Sequence, residues 1–226
     1  MGAQFQGADL RMIDLEDATL NYVTLSDPED GSARLADVRW GTANLAVVEW
    51  KLVRRLGDEE VIHVLGSGGH RDEGYRDAAR AYRQLAVVLR NQGLNEDAAR
   101  FAYRAHLMQR KIYSSWGILT IFVLGPYLSS FFLDLVSGYG YKPIRSFITY
   151  AVVISMFALI YFLLGPHLTW NEAIVISMTA FHGRGFFPEQ FKPGDPQALV
   201  AALEAFVGLL IEVTFIATLT QRLFGK

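Results

Sequence analysis

An uncharged run from Ser146 to Asn171 limits most strongly what this chain can fold into. A helix needs about 20 apolar residues to cross the hydrocarbon core of a bilayer, and this run exceeds that length. The stretch 198–221 is also long and apolar, although it contains Glu204 and Glu212. We therefore predict transmembrane helices at 146–165 and 198–221.

The charged residues are concentrated at the other end of the chain. Lys and Arg number 21 and Asp and Glu 23, 44 in all, and 32 of them lie in residues 1–113, three in 114–145 and nine in 146–226. The net charge of −2 and the lack of a long basic tract argue against nucleic-acid binding. The absence of cysteine excludes disulfides, thiolate metal sites and a cysteine nucleophile. No secretory signal opens the sequence, so we expect a cytosolic N-terminal half.

A five-residue repeat occupies residues 1–50. Small or branched apolar residues hold one phase, and a Leu or Trp follows two positions later. The units are Ala8-Asp9-Leu10, Ile13-Asp14-Leu15, Ala18-Thr19-Leu20, Val23-Thr24-Leu25, Ala33-Arg34-Leu35, Val38-Arg39-Trp40, Ala43-Asn44-Leu45 and Val48-Glu49-Trp50. Neither a helical nor a strand period accommodates a strict five. The pattern resembles the pentapeptide-repeat family, and this resemblance implies a right-handed β-solenoid that could recruit a cytosolic partner.

The region after the repeat divides into a linker and a helical hairpin. Residues 51–71 break the period, and their glycine-rich part lacks the Lys-Ser/Thr of a phosphate loop, which favours a flexible linker. From residue 72 apolar residues recur with helical spacing up to a stop at Gly93, and a second helix starts at Asn95. The segment 72–112 therefore resembles one tetratricopeptide-like hairpin.

The stretch 113–145 is apolar but is interrupted by Gly125-Pro126. Arg110 and Lys111 precede it, and Lys142 and Arg145 follow it. Short basic flanks stay in the cytosol, so both ends of the stretch are expected on the same side of the membrane. We predict a re-entrant or interfacial helix pair that bends at the proline.

Between the two predicted spans lies a short amphipathic run, 169–188, that ends in Gly183-Arg184-Gly185 and then a proline. The order of span, short helix, Gly-x-Gly and span in 146–226 resembles the pore module of the two-transmembrane potassium-channel superfamily. The Trp170-x-Glu172-Ala start of the short helix carries the same resemblance. It implies an all-α pore domain with a re-entrant pore loop, a homotetramer in the cell membrane, and monovalent ions as the permeant species.

The resemblance places the selectivity filter at six residues, and glycines there let successive carbonyls turn toward one axis. The six are Phe181, His182, Gly183, Arg184, Gly185 and Phe186. The sequence departs from the family's Thr-Val-Gly-Tyr-Gly-Asp by losing the innermost Thr and the outer Asp. It thereby implies a cation pore with only weak potassium preference. Glu172, Thr179 and Glu204 are expected to support the filter.

Two of these residues, His182 and Arg184, have alternative interpretations. His182 is either a packed, hydrogen-bonded residue or a titratable ring near the throat. Arg184 is expected behind the filter, paired with Glu204, since a buried guanidinium requires a carboxylate. If Arg184 and His182 instead face the ions, the channel would select anions.

The last span carries a stripe of polar and small residues on one face. Glu204, Gly208 and Glu212 are spaced at i, i+4 and i+8. Carboxylates inside a membrane are functional by default. Glu212 is expected to line the central cavity or to form a hydrogen bond at a subunit interface, with Gly208 as a hinge of the inner helix.

Enzymatic and metal-dependent functions have little support in the sequence, which lacks HExxH and GxSxG and scatters its other histidines without ligand spacing. We therefore expect no catalytic site, no cofactor and no metal. The leading hypothesis is the pore-forming subunit of a tetrameric channel with N- and C-termini in the cytosol. The rival hypothesis is a non-conducting membrane scaffold whose repeat domain recruits a partner.

Overall fold

The computed structural model describes residues 2–63, 69–115, 121–165, 167–184 and 192–224. The chain divides into two compact units, Met1–Ser130 and Phe131–Lys226. The elements in chain order are β1 (Ser26–Asp27), β2 (Gly31–Ser32), α1 (Gly57–Glu60), α2 (Gly69–Asn91), α3 (Asn95–Ser115), α4 (Ile121–Ser137), α5 (Pro143–Leu164), α6 (Trp170–Phe181) and α7 (Pro196–Phe224). Short 3-10 helices lie at Leu45–Val47, Trp50–Leu52 and Val61–His63.

The repeat segment of the first unit folds as a succession of tight turns. Backbone N–H groups of Ala8, Ile13, Ala18 and Val23 each donate to the carbonyl three residues earlier, at 3.0–3.3 Å. The residue before each of these, at positions 7, 12, 17 and 22, has a left-handed φ of 59–63°. The Leu and Trp residues of the later units point inward and form the core of the unit.

The predicted right-handed β-solenoid over residues 1–50 is wrong. Among the described residues, the named strands are β1 and β2, a two-residue antiparallel pair, and most of the remaining structure is helical. Isolated parallel bridges such as Gln4–Thr24 and Asp9–Arg34 join neighbouring turns at single residues. The physical reason is the length of the unit, because a turn closed between residue i and i+3 uses four of five residues and leaves too few to extend a strand.

The helical hairpin α2–α3 packs onto the turns and onto α1. Gly93 has a φ of 78° directly after α2, which is the left-handed stop that glycine favours at a helix end. Gln92 of the same turn donates to the carbonyl oxygen of Ala43 at 2.8 Å and accepts from the N–H of Leu45 at 2.8 Å.

The segment predicted as a flexible linker, 51–71, is packed in its described part. Leu56 and Ile62 are buried, and α1 carries the buried carboxylates Asp58 and Glu59. The glycine-rich stretch 64–68 lies outside the described residues. Within 51–63 the chain therefore belongs to the core of the first unit.

The stretch 113–145, predicted as a re-entrant or interfacial helix pair bent at Gly125-Pro126, contains the helix α4 in its described part. Residues 121–137 form one helix, α4, with Pro126 inside it. Pro126 lies in the second turn of α4, where a proline removes only one intrahelical hydrogen bond.

The second unit contains the two helices predicted to cross the membrane. Within the described residues, Ile144–Leu164 and Pro196–Thr220 are long and apolar enough to span a bilayer. Only 17% and 22% of their most apolar windows are buried, whereas the core helix of a soluble protein would be mostly covered. The prediction of two helices long and apolar enough to cross a membrane, at 146–165 and 198–221, is therefore confirmed, with ends that differ by a few residues.

Candidate functional site

Helix α6 begins at a complete capping box between the two long helices. The hydroxyl of Thr169 accepts from the N–H of Glu172 at 3.4 Å, and the carboxylate of Glu172 accepts from the N–H of Thr169 at 2.8 Å. These hydrogen bonds from the backbone and the hydroxyl of Thr169 lower the pKa of the exposed Glu172. Glu172, predicted as a filter support, therefore fixes the start of α6.

One face of α6 is buried against α5 and α7. Its buried residues are Ala173, Ile176, Ser177, Ala180 and Phe181, which recur with helical spacing. This face packs against Phe157 and Tyr161 of α5 and Ala201 of α7. The opposite face leaves Val175 and Met178 half exposed. Because α6 has only 12 residues, it is too short to span a bilayer and reaches only part of the way along α7.

The end of α6 is anchored by Phe181, the first residue of the predicted filter. Its side chain is 1% exposed and packs with Val136, Ile154 and Ile211. The ring of Tyr150 meets it edge to face with centroids 4.9 Å apart. Phe181 is therefore a packing residue in this chain.

The three residues after Phe181 form an exposed tip. Gly183 has a left-handed φ of 67°, and the N–H of Arg184 donates to the carbonyl oxygen of Thr179 at 3.0 Å. The hydroxyl of Thr179 donates back into α6, to Val175 and Ile176, and so supports the last turn. Gly185 and Phe186, also predicted for the filter, lie outside the described residues.

The predicted polar stripe of α7 runs along α6. Glu204 contacts Ser177, Gly208 lies against the carbonyl group of Phe181, and Glu212 lies next to His182. The stripe therefore belongs to a helix contact, and each of its three residues meets a different position of α6.

Within one chain, Glu204 contacts Ser177 and does not pair with Arg184. Glu204 is 0% exposed, and its Oε1 lies 2.5 Å from the hydroxyl of Ser177. Arg184 is exposed at the tip of α6. The hydroxyl of Ser177 supplies the polar contact that the prediction had assigned to the guanidinium.

The contacts of Ser177 constrain the proton on Glu204. The Ser177 hydroxyl also lies 2.9 Å from the carbonyl oxygen of Ile154, which can only accept. A hydroxyl has one proton, so Ser177 either shares it between these two oxygens or donates it to Ile154 and accepts a hydrogen bond from a protonated Glu204. The buried hydroxyl of Tyr161 lies close enough to Glu204 to interact with its carboxyl group, although among the described residues neither this hydroxyl nor Oε2 of Glu204 makes a hydrogen bond of good geometry.

Glu212 and His182 form the one polar contact of the stripe that reaches solvent. Nε2 of His182 lies 3.5 Å from Oε1 of Glu212, and the two side chains are 42% and 38% exposed. Nδ1 of His182 lies 2.8 Å from the carbonyl oxygen of Met178, so it carries the proton of that hydrogen bond. In the neutral ring the lone pair of Nε2 therefore faces the carboxylate.

The sequence did not identify Ser177, Tyr161 or Tyr150 as part of this site. Each is one of several hydroxyl-bearing residues in a mostly apolar helix, so it becomes a specific signal only when the faces of α5, α6 and α7 are known. Projecting 150–161 and 173–181 onto helical wheels would have placed all three on inward faces.

Helix α6 packs against α5 and α7 and presents its tip to solvent. Helix α7 has an exposed apolar face elsewhere along its length. This face contains Leu199, Leu203, Phe206, Leu209, Val213 and Ile216. No family model matches this chain, and neither a curated protein nor a solved structure matches it.

Proposed function

We propose that the chain is the pore-forming subunit of a homotetrameric ion channel that conducts monovalent cations with weak potassium preference. The observation that carries the proposal is the capped, half-buried helix α6 between two candidate spans, which ends in a left-handed glycine. Non-helical backbone is tolerated at membrane depth only where it is buried in protein or lines water.

The depth of the tip supports the proposal. Gly208, which lies against the carbonyl group of Phe181, is twelve residues into α7. At about 1.5 Å per residue this corresponds to about 18 Å, roughly half of a 30 Å hydrocarbon core. A tip that ends at this depth needs further copies to surround it, and closed cyclic symmetry provides them.

The test is current from the purified full chain in planar bilayers, together with its mass in mild detergent. We expect tetramers in native mass spectrometry. In asymmetric KCl we expect a reversal potential near the equilibrium potential of potassium. A silent bilayer from tetrameric protein would favour the non-conducting scaffold, and a monomer or dimer would contradict the pore.

An anion-selective channel of the same fold is the second candidate. The exposed position of Arg184 at the tip of α6 favours it, because a cation beside the path attracts anions. A reversal potential near the equilibrium potential of chloride would support the anion-selective channel.

We also propose that both termini lie in the cytosol. Arg110, Lys111, Lys142 and Arg145 flank α4 on what would be one side of the membrane. The chain has no cysteine, so single cysteines report topology directly. Gly194→Cys, in the exposed segment before α7, should react with an impermeant thiol reagent from outside, and Lys51→Cys should react only after permeabilisation. The reverse pattern would overturn this topology.

A further inference from the structure

We propose that His182 and Glu212 bind a transition-metal ion of the Zn²⁺ class, which bridges the end of α6 to α7. The proposal concerns metal binding and does not depend on conduction. It starts from the separation of Nε2 and Oε1, which at 3.5 Å is longer than a hydrogen bond between these groups.

The separation fits two ligands of one metal ion. Imidazole nitrogen and carboxylate oxygen bind Zn²⁺ at about 2.0–2.2 Å, so two of them at a tetrahedral angle lie about 3.3–3.5 Å apart. The observed distance therefore needs almost no movement of either side chain.

The hydrogen bond on the far side of the ring prepares His182 for this role. Nδ1 donates to the carbonyl oxygen of Met178, which fixes the tautomer of the neutral ring and leaves a free lone pair on Nε2, the nitrogen 3.5 Å from Oε1 of Glu212. Histidine ligands of zinc commonly donate their other N–H to a carbonyl or carboxylate in this way. Packing of the ring near Tyr150 and Phe181, with centroids 6.0 and 5.4 Å away, holds it further.

The ligand types select the class of metal. One imidazole and one carboxylate suit Zn²⁺, Ni²⁺ or Cu²⁺ better than Mg²⁺ or Ca²⁺, which prefer several oxygen ligands. The described residues provide no third His, Cys, Asp or Glu ligand, so the remaining positions are left to water. Both side chains are partly exposed, and an ion can reach them from solvent.

The experiment is calorimetric titration of the full chain in detergent with ZnCl₂ and, separately, with MgCl₂. We expect saturable binding of Zn²⁺ and none of Mg²⁺. His182→Ala and Glu212→Gln should each weaken Zn²⁺ binding by about tenfold or more. The matched control is His167→Ala, which removes an exposed histidine of the same unit and should leave binding unchanged.

A second measurement guards against misfolding of the alanine variant. Bound Co²⁺ should show d–d absorption in the wild type that is lost in His182→Gln and in Glu212→Gln. The proposal is overturned if Zn²⁺ fails to bind, or if binding and the Co²⁺ spectrum survive in both the His182 and the Glu212 variants.

Discussion

Gly208 of α7 lies directly against the carbonyl group of Phe181 at the end of α6. A Cβ atom at this position would overlap the Phe181 oxygen and lie 2.9 Å from its carbonyl carbon. The close approach of the two backbones therefore depends on the absence of a side chain at Gly208, the residue predicted from the sequence as a hinge.

Gly208→Ala should separate the end of α6 from α7. Overpacking of this kind costs about 1–3 kcal/mol, because backbone cannot move aside as a flexible side chain can. The thermal midpoint of the full chain in detergent should fall. Gly194→Ala is the matched control, since nothing lies within 4 Å of its added Cβ, and an equal fall in both variants would contradict the argument.

Glu204→Gln should preserve most of the stability of the second unit. Glutamine has the shape of a protonated glutamic acid and can keep a hydrogen bond to Ser177. Glu204→Ala should be worse by about 1–3 kcal/mol, because it removes the buried hydrogen bond to Ser177 and leaves a cavity where the side chain packed. Thermal melting should rank the wild type and Gln variant above the Ala variant, with the exposed Leu203→Ala as control for side-chain loss on α7. A Gln variant as unstable as the Ala variant would indicate that Glu204 is ionised.

The span positions could be predicted from sequence, because length and apolarity alone define a helix that can cross a bilayer. The start of the short helix was equally accessible, since the Trp170-x-Glu172 pattern follows Thr169 and completes a capping box. These features depend on residues close in sequence.

The partner of Glu204 could not be predicted in the same way. The sequence identified a buried carboxylate and a nearby cation and paired them, but Arg184 lies beyond the last turn of α6, where helix periodicity no longer fixes direction. Ser177, one turn before the end, is already on the buried face and needs no desolvated charge. The β-solenoid prediction was wrong for a related reason. The five-residue period shows which side chains point inward, but it does not show whether the backbone pairs as strands or closes as turns.

Tyr82→Phe should destabilise the first unit. The Tyr82 hydroxyl donates to Glu59 at 2.6 Å and accepts from the N–H of Leu56 at 2.9 Å, and all three residues are buried. Burial and the neighbouring Glu59 raise the pKa of Tyr82, so the phenol stays neutral. Phenylalanine leaves a buried N–H unpaired, at a cost of about 1–3 kcal/mol.

Backbone hydrogen exchange of the full chain should report this loss as faster exchange in α1 and α2. Tyr22→Phe, at a side chain that is 85% exposed, is the control and should exchange as the wild type does. Equal protection in Tyr82→Phe and the wild type would show that this hydroxyl contributes nothing to the packing of the first unit.

Asp58→Asn should stabilise the first unit increasingly as the pH rises. Burial is the main cause that raises the pKa of Asp58 above 3.8, against the lowering effect of the N–H of Leu35. Above pH 3.8 the native state therefore holds more protons than the unfolded state, and stability falls until the raised pKa is passed. Asparagine lacks this titration and can still accept from Leu35, whose N–H lies 2.6 Å from Oδ2. Protection factors of the Leu35 amide at pH 4 and pH 7 should show a larger advantage of the variant at pH 7, and a constant difference would contradict the assignment.

Arg184→Ala tests how the tip of α6 is used, and it depends on the proposed channel. Arg184 is exposed, and the polar contact of Glu204 within the chain is with Ser177. Removing the guanidinium should therefore leave tetramer mass and thermal midpoint unchanged, since surface substitutions usually change stability by no more than about 0.5 kcal/mol. If the pore conducts cations, the reversal potential in asymmetric KCl should stay on the cation side, and conductance should rise because a positive charge near the path is gone. Lys192→Ala removes an exposed positive charge outside α6 and should leave the reversal potential and the conductance unchanged. A switch from anion to cation preference in Arg184→Ala, with no change in Lys192→Ala, would instead establish the anion-selective channel.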